Sequence, residues 1–121
     1  MNWITILIVV AAIALFLTIS KAGEISVKDV TGYLKNGALV IDVRTADEFN
    51  SGHLTNAINI PLDEIESALP KRVTDKSQVL LLHCASGMRS GMAQKKLNSL
   101  GYTNAFNLGS YGRAKSILNQ Q

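Results

Sequence analysis

Apolar residues are distributed in two different ways along this chain. From 3 to 19 they run without a charge (WITILIVVAAIALFLTI) and leave no polar face at any helical period. Beyond Lys21 they come in short runs separated by turn and charge signals. Residues 38–43 are nearly all apolar, as expected of a strand buried on both faces in a parallel sheet. Residues 57–60 form a second, shorter strand halted by Pro61, 78–83 a third and 105–108 the last, while Ile25 begins a brief strand.

Helical patterns fill the intervals. Ser26 can N-cap a helix carrying Val30, Tyr33 and Leu34 on one face, with Gly37 just beyond its end. Thr45 and Glu48 form a capping box for a short helix through Phe49, and Gly52-His53-Leu54 turns the chain. Residues 63–69 read as an amphipathic helix with Ile65 and Leu69 inward, followed by a polar loop over 70–77. Ser90 opens a helix over 90–100 with Ala93, Leu97 and Leu100 on one side and Gly101 as its cap. A closing helix over 109–121 carries Ile117 and Leu118. Strands alternating with helices predict an α/β fold around a small, mainly parallel sheet.

The first segment changes the picture. A helix over 2–20 spans about 28 Å, close to the about 30 Å of a bilayer core. Trp3, Asn2 and Lys21 suit the two interfaces. The expectation is therefore one transmembrane helix over 2–20, a hinge over 21–24 and a domain over 25–119, at the cell membrane. Lys21, Lys28 and Lys35 follow the span and no Lys or Arg precedes it, which favours a cytoplasmic domain, with an extracytoplasmic (periplasmic) one as the alternative. A cleaved signal peptide ending near Ser20-Lys21-Ala22 competes, but lacks a basic n-region. A buried core helix is the third reading.

Composition adds little more. The hydrophobic fraction of 47% owes its excess to that first segment. A net charge of +3, scattered, does not point to nucleic acid, and Lys71-Arg72 and Lys95-Lys96 read as solvated faces. The single cysteine excludes an internal disulfide and supports no metal cluster; no cofactor is called for.

That cysteine carries the chemistry. Cys84 ends an apolar strand, and Ala85-Ser86-Gly87-Met88-Arg89-Ser90 follows. A lone cysteine there can be a small buried hydrophobe. Its surroundings favour a thiolate instead: small residues whose N–H groups can converge on it, Gly87 with access to positive φ, the Arg89 charge, and a helix N-terminus at Ser90. His83 adjoins Cys84, but consecutive strand residues face opposite ways, which argues against a catalytic Cys–His pair.

Val40-Ile41-Asp42-Val43-Arg44, Glu48-Phe49, Gly52-His53-Leu54 and Ala57-Ile58-Asn59-Ile60-Pro61 resemble the N-terminal signature of the rhodanese (sulfurtransferase) family. Cys84-Ala85-Ser86-Gly87-Met88-Arg89-Ser90 resembles its active-site loop, and 100–108 its last strand region. The resemblance implies a five-stranded parallel sheet and Cys84 as a nucleophile that carries a persulfide. It implies a small anionic sulfur donor such as thiosulfate, or a protein persulfide, and a thiol or cyanide acceptor. Residues 85–90 would bind substrate, with Arg89 attracting the donor. Arg44 is a second candidate for that work or else forms a structural salt bridge; Asp42 and His53 would hold the loops. Two rivals remain. A phosphatase on the same scaffold has five residues between cysteine and arginine, whereas Cys84 and Arg89 are separated by four. A non-enzymatic binding or persulfide-sensing module fits one departure: Gly109-Ser110-Tyr111-Gly112 stands where the family has a Gly-Gly turn and then a tryptophan, which is expected to weaken packing beside the loop.

Overall fold

The computed structural model describes residues 2–120, apart from the side chains of 18–22. The apolar runs form four parallel strands: β1 Leu39–Asp42, β2 Ile58–Asn59, β3 Leu80–Cys84 and β4 Ala105–Ser110. They lie in the order β2-β1-β3-β4. Every β3 side chain is buried, as its unbroken apolar run requires. Glu24 adds one parallel bridge to Asn107 on the outer edge of β4, and Ile25 N donates to Asn107 O at 2.9 Å. The brief strand expected at Ile25 is this single bridge. Among the described residues the sheet therefore has four strands and a bridge, where the resemblance implied five.

Helices cover both faces. α2 (Val27–Lys35) and α6 (Tyr111–Leu118) pack Val30, Ala114 and Ile117 against Val40, Leu81 and Leu108. α4 (Ile65–Arg72) and α5 (Met88–Ser99) pack Ile65, Leu69, Ala93 and Leu97 against Ile41, Leu80 and Leu82. α3 (Ala46–Asn50) leaves the end of β1 through the full capping box of Thr45 and Glu48. Ser26 caps α2 by accepting from Asp29 N, and Gly37 leaves that helix at φ +88.

Several boundaries move. α4 continues two residues past Pro70, because one proline forfeits one backbone bond while Val73 N still closes on Leu69 O at 2.8 Å. α5 starts at Met88 rather than Ser90, because Gly87 at φ +97 is its N-cap, and Leu100 is exposed rather than in the core. β4 runs on to Ser110, and α6 ends at Leu118; Gln121, the expected end of that helix, lies outside the described residues.

The expected membrane anchor is overturned. α1 is helical over Trp3–Ala22, yet among the described residues no helix is long and apolar enough to cross a membrane. The transmembrane span, the membrane partner and the cell-membrane location, cytoplasmic or extracytoplasmic, fall with it. The side chain of Lys21, one of the three lysines on which the orientation rested, lies outside the described residues.

Leu82 is fully buried between β1, β4 and the α4–α5 layer. Leu82→Ala is expected to destabilise the fold by about 2–5 kcal/mol, read as a lower urea midpoint with an unchanged slope.

Candidate functional site

The chain runs from β1 outward to β2, crosses back past β1 to β3, and continues outward to β4. This reversal opens a crevice beyond the carboxyl ends of β1 and β3, where open α/β sheets bind ligands. β3 places Cys84 there.

The loop after Cys84 folds back over its own cysteine. Gly87 N donates to Cys84 Sγ at 3.0 Å and Ser90 N at 3.4 Å, and Ser90 Oγ lies 3.5 Å away. The first N–H groups of α5 lack helical acceptors, and the sulfur supplies one. Cys84 is fully buried, whereas Ala85, Ser86 and Met88 are exposed. Burial pushes the Cys84 thiol up, but donation from the Ser90 hydroxyl and from the Ser90, Gly87 and Ser86 amides outweighs it, leaving the thiol below its ordinary value. Gly87 is required at its place. A Cβ there would lie 3.2 Å from Glu24 Oε1 and 3.4 Å from the Gly109 backbone, on a φ of +97.

Arg89 closes the loop, and Glu48 holds it. The pair is bidentate, Nη1–Oε1 at 2.7 Å and Nη2–Oε2 at 3.0 Å. Thr45 supports the same carboxylate through its N–H and hydroxyl, so the α3 cap and the arginine share one anchor. Contact with Glu48, and then the nearby Cys84 sulfur, raise Arg89 further.

Arg44 is not brought to the loop. Its guanidinium bonds Asp42 through Nε and Nη2 (2.8 Å for the latter), donates to Gly52 O at 2.7 Å, and lies 4.6 Å over the Tyr111 ring. This is the salt-bridge alternative, held by two β1-end residues and a turn. Asp42 is fully buried, accepts from Arg44 N at 2.9 Å, and lies 3.8 Å from His83 Nε2. His83 points away from Cys84 into this cluster. Burial lowers its imidazole, and neither ring nitrogen has a hydrogen-bond partner among the described residues. His53 stacks on Phe49 at 3.8 Å with Nδ1 2.9 Å from Phe49 O, at the turn.

Four contributors were not singled out from sequence as site residues. Glu48 signalled only a capping box. Asn107, a lone polar residue in an apolar strand, ends up buried against the loop, accepting from Ser90 Oγ at 2.7 Å. Ser110 and Tyr111 brace the loop from β4: Ser110 bridges Ser86, and Tyr111 N donates to Ala85 O at 3.3 Å. The departure at 109–112 therefore does not leave the loop unsupported. A cavity of about 700 Å³ touches the loop at Ser86, Gly87 and Met88 from the α5–β4 side, but Cys84 does not line it.

Residues 26–112 match the family model of the rhodanese-like domain. The chain belongs to that family. Its rhodanese-like region is 38% identical over 69 residues to the thiosulfate sulfurtransferase PspE of Escherichia coli, covering 57% of this chain and 66% of that protein. It is 33% identical over 90 residues to the thiosulfate:glutathione sulfurtransferase of Saccharomyces cerevisiae, covering 64% and 63%. The chain thus spans a little under two thirds of these relatives' lengths. Among solved structures, a rhodanese with anions from E. coli superposes with a TM-score of 0.61 at 34% identity, covering 64% of this chain and 91% of that one. The human single-domain sulfurtransferase TSTD1 superposes at 0.65 and 28% identity, covering 78% and 96%.

Contact with Arg89 holds the Glu48 carboxyl at about 2, below its ordinary 4.5. A depressed carboxyl stabilises the fold above its unfolded value and loses that contribution as pH falls through its folded one. The stability advantage of the wild type over Glu48→Gln should therefore be full above about pH 4.5 and vanish toward pH 2, as read from urea midpoints across that range.

Proposed function

We propose that this chain is a sulfurtransferase that carries sulfane sulfur as a persulfide on Cys84, within a domain over 25–119. The observation that carries the reading is the convergence of Gly87 and Ser90 N–H groups on Cys84 Sγ, under a loop closed by Arg89. The names of the relatives, thiosulfate sulfurtransferase and thiosulfate:glutathione sulfurtransferase, support it.

In the first half-reaction the Cys84 thiolate attacks the outer sulfur of thiosulfate. The donor's S–S bond breaks, and sulfite leaves with the bonding pair. Cys84–S–S⁻ keeps one negative charge, and the Gly87 and Ser90 donors stabilise it as they stabilise the thiolate. In the second half-reaction an acceptor thiolate attacks the terminal sulfur, which departs as the acceptor's persulfide while the Cys84 thiolate is regenerated. Cyanide in the acceptor's place leaves as thiocyanate. An organic or protein persulfide can serve as donor by the same displacement. The two half-reactions share one covalent intermediate, so ping-pong kinetics are expected.

Arg89 and residues 85–90 receive the anionic donor, and Arg44 acts on β1 rather than on substrate. Four residues between Cys84 and Arg89 make a cradle for one sulfur atom, which favours this reading over phosphate hydrolysis.

Mass spectrometry of the chain after incubation with thiosulfate should show a gain of one sulfur atom. The gain should disappear on adding cyanide and be absent in Cys84→Ser. No adduct with thiosulfate or an organic persulfide, or aryl-phosphate turnover lost in Cys84→Ser, would overturn the reading.

A further inference from the structure

We propose that Asn107 is a positioning residue for this reaction: its carboxamide clamps Gly87 and Ser90, the two residues whose N–H groups bond the Cys84 sulfur. The inference rests on Cys84 being the nucleophile.

Asn107 is 4% exposed, and a buried carboxamide is costly unless its polar atoms are paired. Here both atoms are used. Nδ2 donates to Gly87 O at 3.1 Å. Oδ1 accepts from Ser90 Oγ at 2.7 Å and from Gly109 N at 2.9 Å. The first two bonds reach α5 at its N-cap and in its first turn. Gly87 at φ +97 has no side-chain cap of its own, so the bond from β4 reinforces the Gly87 carbonyl, which also accepts from Gly91 N at 3.1 Å. The third bond fixes the carboxamide itself. β4 is irregular at this point: Leu82 pairs with Asn107 but His83 pairs with Gly109, and the Asn107 side chain takes up the Gly109 N–H. The backbone is tied from the other side, where Ile25 N donates to Asn107 O at 2.9 Å. A rigid strand thus holds the first turn of a helix at a set distance from the sulfur.

The Ser90 hydroxyl has one proton and three acceptors in reach, Asn107 Oδ1, Gly87 O at 3.1 Å and Cys84 Sγ. Asn107 Oδ1 at 2.7 Å is closer than Cys84 Sγ at 3.5 Å. With the thiol neutral the proton belongs on Asn107, and the amide donors carry the direct contact with sulfur. When the sulfur is a thiolate the hydroxyl can turn to it, and the clamp keeps that donor and the amide donors aimed at the sulfur.

The test is the pH–rate profile of Cys84 alkylation by iodoacetamide, a small reagent suited to a covered thiol, in the full chain. Asn107→Ala should move the midpoint up by about one unit, as expected for loosened hydrogen bonds to a thiolate. Sulfur transfer from thiosulfate to cyanide should lose about three- to tenfold in kcat below the midpoint, since a rarer thiolate is partly offset by its greater basicity, with KM changing less. Asn107→Ser, neutral and still polar, serves if the alanine variant does not fold, and the same upward shift is expected. A residue that merely supports the fold would lower Tm and leave the alkylation midpoint alone, so a folded variant with the wild-type midpoint overturns the proposal. Alkylation requires no sulfur donor. A shifted midpoint without sulfur transfer in the wild type would sustain the clamp while removing the sulfurtransferase reading.

Discussion

The structure around the loop depends on hydrogen-bond donors aimed at a sulfur atom that has no exposed surface. Burial alone would drive Cys84 toward the neutral thiol, which is a poor nucleophile. The fold offsets that by aiming backbone donors at the sulfur, and backbone donors can be aimed only where the chain is sharply and reproducibly bent. This is why the loop is short, why Gly87 takes a left-handed conformation, and why a full helix, α5, begins at its end. The long-range contacts around the loop serve the same bend: Glu48 on Arg89, Ser110 on Ser86, Tyr111 on Ala85.

Two clusters divide the work at the carboxyl end of the sheet. On the Cys84 side, the first turn of α5 and Arg89 surround the sulfur. On the other side Asp42, Arg44, Tyr111 and His83 form a compact polar group with no hydrogen bond to the sulfur. The alternation of side chains along β1 and β3 enforces the separation, since Asp42 pairs with His83 while Cys84 faces the opposite layer. The back cluster ties the end of β1 to the Gly52 turn and to the start of α6, and through Tyr111 it reaches the loop backbone. Arginine suits this role because its planar fork can bond a carboxylate, donate to a carbonyl and stack on a ring together.

Much of this was legible in the sequence, and the exceptions have physical reasons. The strands were readable because their apolar runs are nearly unbroken, and Cys84, the loop and Arg89 because a thiol, a Gly-containing turn, an arginine and a helix start follow one another in the chain. The start of α5 was misplaced because serine is a familiar cap, whereas a left-handed glycine caps without a side chain and leaves no polar signal. The extent of α4 was misjudged because a proline penalty of one bond is smaller than what buried Leu69 and Ile65 return. Arg44 could not be assigned from sequence, since a salt bridge with Asp42 and an anion site need the same residue. Asn107 was a visible anomaly, a polar residue within an apolar strand, but its partners are 17 and 20 residues away in the chain, and only the folded sheet brings them together. The membrane anchor rested on the length of the uncharged run and on Trp3, Asn2 and Lys21 at its ends.

The irregularity in β4 has a consequence for how this chain can vary. Were the ladder regular from Leu82 onward, Leu108 would stand opposite His83 and Gly109 opposite Cys84; instead Gly109 and Ser110 occupy those places. One additional residue therefore sets where the strand's end meets the loop. Shortening β4 by one at this point would leave its hydrophobic pattern plausible, yet hand the loop a different neighbour at every later position. Homologous strands could keep each chemical group and still lose the alignment, so the spacing from Asn107 to Ser110 is as much a part of the site's identity as the residues themselves.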